Sequence, residues 1–402
     1  MDNAMTVSPT IARAIGAVVV AAAAVGLAYR LAPTTSAFVL ATYALLFLFF
    51  AYLVALFRGS ARDVALAAAS LVLGLGAVEV AALFLAGSAT TLLDKDEYTG
   101  DESLGWRLAR PGVFREQILA ADGKPIIDFV ATIDTDLTRK VVSSKSGPLV
   151  AFLGDSFTFG LGVPDAETLP QAFADTTDRR FHVMNLAVSG YGPQQFLRTL
   201  ELDDFRLSRN VAPRLFVMLT SPWHAARTSC KAAFSAGGPR FVLRDGEAAL
   251  AGRCPQAYER DPAYLRPILA AARATASYKY FVGVREEPIE SADIDLYVAI
   301  LAKAGKVARE KYGAPTLILF LADDLTSPQY RLGAGYGNDD ILRRLQESGA
   351  FAIDATLDPK AYPGQTLIIP GDRHPTGAAN RIWAAKIKEF VEERLDRPGA
   401  QP

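Results

Sequence analysis

Apolar residues crowd the first ninety positions of this chain, then give way to short apolar runs separated by polar, turn-rich stretches. Three long segments make up the crowded part. The first runs from about Ala14 to Tyr29 between Arg13 and Arg30, the second from Leu31 to Phe57, and the third from Val64 to Gly87. Each approaches or exceeds the ~20 residues needed to cross a bilayer core. The pattern therefore predicts an all-helical transmembrane region over 1–88, with three spans. For the first segment, of 16 residues, a cleaved signal peptide is the alternative, and it would still leave two spans. Glu79 lies inside the third segment, where a carboxylate needs a partner. A helix–helix contact with Thr42 or Tyr43 of the second span is the expected one.

Residues 89–146 read as a linker and accessory segment of short strands and turns, opening with Asp94-Lys95-Asp96-Glu97. From residue 147 the pattern changes to alternating strands and helices. Strands are expected at 148–153, 181–186, 214–220, 315–321 and 350–353, each a short apolar run of the kind buried on both faces of a parallel sheet. Helices are expected at 166–175, 192–208, 293–312 and 338–348. A closing amphipathic helix runs from Thr376 to Leu395, with Ile382, Ala385, Phe390 and Val391 on or near one face. This alternation implies right-handed crossovers and an α/β sandwich over 147–398. The stretch 228–290 breaks the alternation and reads as an insertion.

The balance of charges narrows the function. Over 402 residues the formal net charge is -1 and 21% of residues are charged, which argues against a nucleic-acid partner. Mean hydropathy is +0.17, its excess concentrated in the amino-terminal segments. With the amino terminus in the cytoplasm, Arg13, Arg58 and Arg62 lie inside while Arg30 and Lys95 lie outside, the sign expected for positive-inside orientation. That places everything after residue 88 outside the cytoplasm. Cys230 and Cys254, close together in a polar region, form a candidate disulfide for an oxidising compartment; two unrelated buried thiols are the alternative. No His or Cys partner shows metal-ligand spacing nearby, so neither a metal nor another cofactor is expected.

Three motifs carry the chemistry. Gly154-Asp155-Ser156 follows the apolar run Leu149–Leu153, putting the Ser156 hydroxyl at the carboxyl edge of a sheet. Asn185-Leu186-Ala187-Val188-Ser189-Gly190 follows the second strand, with small residues that let backbone N–H groups approach a ligand. Asp372-Arg373-His374-Pro375 offers a base and its orienter on one short turn, which a serine needs to become a nucleophile. Asp155 is expected to cap or brace its turn. His182, inside an apolar strand, reads as structural. Arg227 is expected to pair with a carboxylate. Trp106 is expected to pack under a loop, with a place on the pocket rim as the alternative.

On these motifs the chain resembles the SGNH, or GDSL-type, hydrolases, as a membrane-anchored bacterial member, over roughly residues 147–395. The resemblance implies a flavodoxin-like three-layer α/β/α sandwich, with Ser156 as nucleophile, Gly190 as an oxyanion donor, and Asp372 and His374 completing a triad. Membrane anchoring then suggests a substrate at the cell surface, an ester-bearing glycan or lipid. Related domains in polysaccharide acetylation work beside a membrane-bound acyltransferase, which makes such a protein a candidate partner. Two features depart from the pattern. Asp372 and His374 are separated by one residue where two are usual. After the third strand, Ser221-Pro222-Trp223-His224 carries no Asn to complete the oxyanion hole. Either His224 or Trp223 supplies that donor, or the site runs on two backbone donors; for His224 a structural role is the alternative. The expected activity is an extracytoplasmic serine esterase or acyl-transferring hydrolase. The alternative is a catalytically weak module that binds glycan or scaffolds an envelope assembly.

Overall fold

The computed structural model describes residue 16 and residues 35–85, 90–92, 97–120, 123–202, 213–256, 259, 261–283 and 287–396. Apart from residue 16, the first apolar segment lies outside the described residues. The chain divides into two compact units: the described parts of Met1–Ser88 with Tyr258–Arg285, and those of Ala89–Ala257 with Glu286–Pro402.

In the first unit, two helices, Thr35–Leu56 and Ser60–Leu85, are both long and apolar enough to cross a membrane. Their sequences lack Pro and are rich in Leu, Ala and Phe, and the turn between them uses Gly59 at a φ of 60°. Leu48, Leu71, Leu73 and Phe84 are exposed along them, a surface that suits lipid and not water. Two shorter helices, Arg266–Ala274 and Ala276–Phe281, belong to the same unit. Glu79 finds its hydrogen bonds there and not on the neighbouring span. Its carboxylate accepts from the backbone N–H groups of Ala276 and Ser277 and from the Ser277 hydroxyl, at 2.6, 2.9 and 2.7 Å. Backbone donors at a helix start offer a carboxylate more than the Thr42 hydroxyl could, and that hydroxyl is donated to Phe38 O within its own helix.

The second unit is built on five parallel strands, numbered here along the chain: β1 (Leu149–Leu153), β2 (His182–Asn185), β3 (Pro213–Thr220), β4 (Thr316–Phe320) and β5 (Phe351–Asp354). Their spatial order is β2-β1-β3-β4-β5, with every neighbouring pair parallel. This is the flavodoxin-like doubly wound order, whose switch point lies between β1 and β3. All five residues of β1 and all five of β4 are buried, which explains why they read as unbroken apolar runs.

Side chains alternate across the sheet. Val150, Phe152, Val217 and Leu319 face one apolar layer with Phe173, Trp383 and Ile387. Ala151, Leu153, Phe216, Met218 and Phe320 face the other, with Phe196, Tyr297, Leu301 and Leu345. Each Val, Leu, Ile, Phe or Met among them contributes about 1.5–3 kcal/mol by leaving water. The closing helix, Gly377–Phe390, buries Trp383, Ala384, Ile387, Phe390 and the following Val391, while Ala385 is exposed. The stripe is set by Trp383 and its neighbours at helical spacing, which turns Ala385 to the outer face.

A three-stranded antiparallel sheet (Thr90–Leu92, Gly112–Leu119, Pro125–Ile133) and a hairpin (Tyr98–Asp101, Gly105–Leu108) precede β1. Arg139 joins this region to the central sheet by bridging Ile133 and Asn185. Its buried guanidinium donates to Phe159 O, Gly160 O and Val163 O, at 3.0, 2.6 and 2.7 Å, and pairs with Asp165. Cys230 and Cys254 are joined in a disulfide that ties the loop after β3 to the hairpin Pro239–Arg244/Glu247–Arg253.

One buried carboxyl of the accessory region gives the fold a pH signature. Burial and the neighbouring Glu97 carboxyl push Glu116 up to about 8. The folded protein therefore keeps a proton that the unfolded chain releases near pH 4.3, so stability falls as pH rises between those values. Glu116→Gln removes this slope. Its melting temperature should gain on the wild type steadily from pH about 5 to about 8; a gap that stays constant with pH would mean that Glu116 does not keep its proton in the folded state.

Candidate active site

The loops after β1, β2 and β3 and the turn before the closing helix meet on one edge of the sheet. β1 ends at Gly154, where a Cβ would sit 2.1 Å from the Thr158 hydroxyl; only glycine allows the chain to fold back so tightly. Asp155 is then the N-cap of a one-turn helix, Ser156–Phe159, and accepts a hydrogen bond from Phe157 N at 2.9 Å. This cap sets Ser156 at the first helical position. Asn185, at the end of β2, donates to Thr158 O and Phe159 O and accepts from Ala187 N. With Arg139, it fixes the turn behind Ser156 to the rest of the sheet.

His374 Nε2 lies 2.9 Å from Ser156 Oγ. The other ring nitrogen, Nδ1, is hydrogen-bonded to Asp372 Oδ1, which also accepts from the His374 backbone N–H at 3.1 Å. The one-residue spacing is reconciled by Arg373, which adopts a left-handed φ of 86°. That conformation curls the Asp372 side chain back beneath the imidazole, at a cost of about 1–2 kcal/mol for a non-glycine residue. The turn is closed by Ile369, whose N–H donates to His374 O and whose carbonyl accepts from Asp372 N. The ring edge of Phe157 packs against the His374 imidazole with centroids 5.3 Å apart, and Trp223 packs behind Phe157.

Gly190 adopts a φ of 84°, and a Cβ there would lie 3.1 Å from Trp106. Trp106 packs beneath this loop, donating its indole N–H to Ser189 O at 3.0 Å and meeting Tyr191 edge-on. Ser156, Ser189, Gly190 and His374 all line a cleft of about 720 Å³, with Phe157, Leu161, Trp223, Phe234, Leu357 and Ile368 as apolar walls and Arg227, Asp323 and Gln329 as polar ones.

His224 is not on that cleft. It is fully buried, with Nε2 3.0 Å from Asp155 Oδ2 and Nδ1 2.9 Å from the Thr220 hydroxyl, which in turn meets Tyr297 OH at 3.1 Å. Both ring nitrogens are engaged behind the site, so the expected oxyanion donor at His224 is a brace instead. Arg227 completes the brace, donating to Asp155 at 2.8 Å and to Tyr191 O at 2.5 Å. Despite its burial, Asp155 is held well below the usual carboxylate range by Arg227 and His224. Burial and the nearby Arg227 cation push His224 down to about 4. His182, partly buried on β2, is likewise shifted downward by burial and lies away from the cleft.

Among the described residues no group of three or more His, Cys, Asp or Glu side chains could hold a metal ion. The roles of Arg139, Asn185 and Tyr297 were not evident in the sequence. For Asn185 the signal was its place at the last position of a buried strand; a buried arginine in a polar stretch gave none.

No sequence-family profile and no curated protein matches the chain. Among solved structures, a member of the lipolytic G-D-S-L family from Veillonella parvula matches with 14% identity and a TM-score of 0.35, covering 63% of this chain and 100% of that one. The esterase EstA from a Pseudoalteromonas species matches with 12% identity and a TM-score of 0.33, covering 62% and 99%. The chain is similar to SGNH-type hydrolases. The likeness concerns the fold, and the site's chemistry rests on the geometry above.

The His224 brace carries a pH dependence of its own. Neutral in the folded state down to about pH 4, His224 protonates near 6.5 in the unfolded chain, so the unfolded state gains protons first as pH falls. Stability should decline below pH 6.5, by up to about 1.4 kcal/mol per unit from this group. In His224→Gln that part of the decline disappears, as denaturant melts at neutral and mildly acidic pH will show. An unchanged acid slope would mean that His224 is not held neutral.

Proposed function

We propose that the protein is a membrane-anchored serine esterase or acyl-transferring hydrolase whose catalytic unit works outside the cytoplasm. The observation that carries this reading is the Ser156–His374–Asp372 chain of contacts at the mouth of an apolar-walled cleft. Ser156 Oγ attacks the ester carbonyl carbon while its proton passes to His374 Nε2. Asp372 holds the Nδ1–H tautomer and stabilises the imidazolium that forms. The carbonyl oxygen, now an oxyanion, is received by the backbone N–H groups of Ser156 and Gly190. Losing a side-chain donor from such a hole costs about 3 kcal/mol. Collapse of the tetrahedral adduct breaks the ester bond, and the imidazolium protonates the departing alcohol. Water or a glycan hydroxyl then attacks the acyl-serine with the same histidine as base.

The apolar walls suit an acyl group and the polar groups Asp323 and Gln329 suit sugar hydroxyls, which favours an O-acetyl glycan or lipid-linked envelope substrate. Acyl transfer to a glycan, with a membrane-bound acyltransferase delivering the acyl group, differs only in the second acceptor. The placement outside the cytoplasm is supported by the Cys230–Cys254 disulfide, which suits an oxidising compartment, and by Arg58 and Arg62 in and beside the turn between the two apolar helices. The domain division that goes with this reading is an anchor over 1–88, an accessory segment over 89–146 and a catalytic unit over 147–398. A second reading, a weak glycan-binding module, is favoured by one observation: no side-chain amide stands after β3 to complete the oxyanion hole.

Turnover of a chromogenic acetyl ester and labelling by a fluorophosphonate probe separate the two readings. Wild type should do both. Ser156→Ala should lose the label and at least about 10³-fold in kcat/KM, with its melting temperature unchanged. Asp372→Asn should retain the fold and lose about 10³–10⁴-fold in kcat. Folded wild type that neither labels nor turns over the ester would favour the binding module, and turnover unchanged in Ser156→Ala would sink the triad.

A further inference from the structure

Glu79 occupies a costly position. It is fully buried and is the sole charged residue between Val64 and Leu85, a stretch whose exposed large side chains are apolar. Both of its oxygens are committed to one place, the start of the helix Ala276–Phe281. There it takes the N–H groups of Ala276 and Ser277 and the Ser277 hydroxyl. The next N–H, that of Tyr278, goes to the Thr275 hydroxyl at 3.1 Å. Three successive donors at a helix start are thus satisfied by side chains alone. A helix end in water needs no such arrangement, whereas one in an environment without water does.

The segment that Glu79 holds has the composition of a surface facing lipid. Tyr264, Ile268, Tyr280, Phe281 and Val282 are 78%, 63%, 46%, 62% and 48% exposed. The charge of Arg273 is paired off internally with Asp261, while Arg266 and Lys279 remain exposed, as cations at the level of anionic headgroups would be. Depth follows from the helix rise. Six residues separate Glu79 from Leu85, which puts the contact about 9 Å inside the end of the span. Amphipathic helices that lie in the headgroup–acyl boundary sit about 5–10 Å deep.

We infer that residues 261–283 form an interfacial membrane element, a helical hairpin seated in the lipid boundary and fastened to the span by Glu79. The occupant of its exposed apolar face is the bilayer itself. This inference rests on the reading of Ser60–Leu85 as a membrane span and goes beyond it. The chain leaves the catalytic unit near residue 257 and returns near 286, so the hairpin is a second point at which that unit is tied to the membrane.

The test uses the full-length protein in phosphatidylcholine–phosphatidylglycerol vesicles. The native cysteines are paired with each other, which leaves single cysteines free to carry a bimane probe. Phe281→Cys and Ile268→Cys report on the hairpin, Leu73→Cys on the span, and Leu250→Cys on the other unit. Quenching by doxyl-labelled phosphatidylcholine, shallow for the hairpin probes and deep for the mid-span Leu73→Cys, should reach Phe281→Cys and Ile268→Cys to within about twofold of Leu73→Cys, several-fold above Leu250→Cys. Adding Glu79→Ala should drop both hairpin probes to the Leu250→Cys level while Leu73→Cys stays quenched. Hairpin probes as unquenched as Leu250→Cys, beside a quenched Leu73→Cys, would overturn the inference alone. An unquenched Leu73→Cys would overturn the span, and the inference with it.

Discussion

Asp155 carries a full negative charge with 1% of its side chain exposed, and the active edge of the sheet is organised around keeping it there. An unpaired carboxylate at that depth would cost several kcal/mol. Three donors on two different loops offset the cost: Phe157 N on the loop after β1, and His224 and Arg227 on the loop after β3. Arg227 reaches further, to the carbonyl of Tyr191 beside Gly190 on the loop after β2. One buried charge therefore sets the relative positions of Ser156, Gly190 and the cleft wall between them. Satisfying it is worth less as stability than as geometry, because removing any one partner leaves the others buried and unmatched.

The same constraint explains the departure after β3. An Asn in this region would aim an amide at the oxyanion, but the segment here spends its polar side chains on the other side, behind the nucleophile. His224 is held between Asp155 and Thr220, and Trp223 fills the space against Phe157. The arrangement spends these side chains on bracing the turn that carries Ser156 and leaves none of them facing the cleft as an amide. The short Asp-x-His spacing shows a comparable exchange. Arg373 holds a left-handed backbone, and that local strain lets two residues do what usually takes a longer turn.

The fold was legible wherever a strand was buried on both faces. Leu149–Leu153 and Thr316–Phe320 have no polar side to blur them, and their limits fall within a residue of where the apolar runs begin and end. Ser156, His374 and Asp372 were legible because Gly-Asp-Ser and Asp-x-His-Pro are local patterns. Contacts across the chain left no such trace. Glu79 and Ser277 are separated by nearly two hundred positions, and nothing in the sequence around Ser277 announces a carboxylate partner. Ala385 was placed on the wrong face because a helix with Trp383 and Ile387 on its buried side is set by its largest residues. His224 was left open between the pocket and a structural role for a different reason. Sequence fixes the loop on which a histidine lies, but which side of the loop it faces depends on the charge it must neutralise.

The proposed mechanism requires that Ser156 is acylated during turnover with His374 as the base. Rapid acid quenching of the full-length protein during turnover of a short-chain ester, followed by peptide mass mapping, tests it most directly. The account predicts one acyl mass on the peptide that carries Ser156 in the wild type, and its absence in His374→Ala. Turnover with the acyl mass on another residue, or with none at all at steady state and after a trapping pulse, would contradict it.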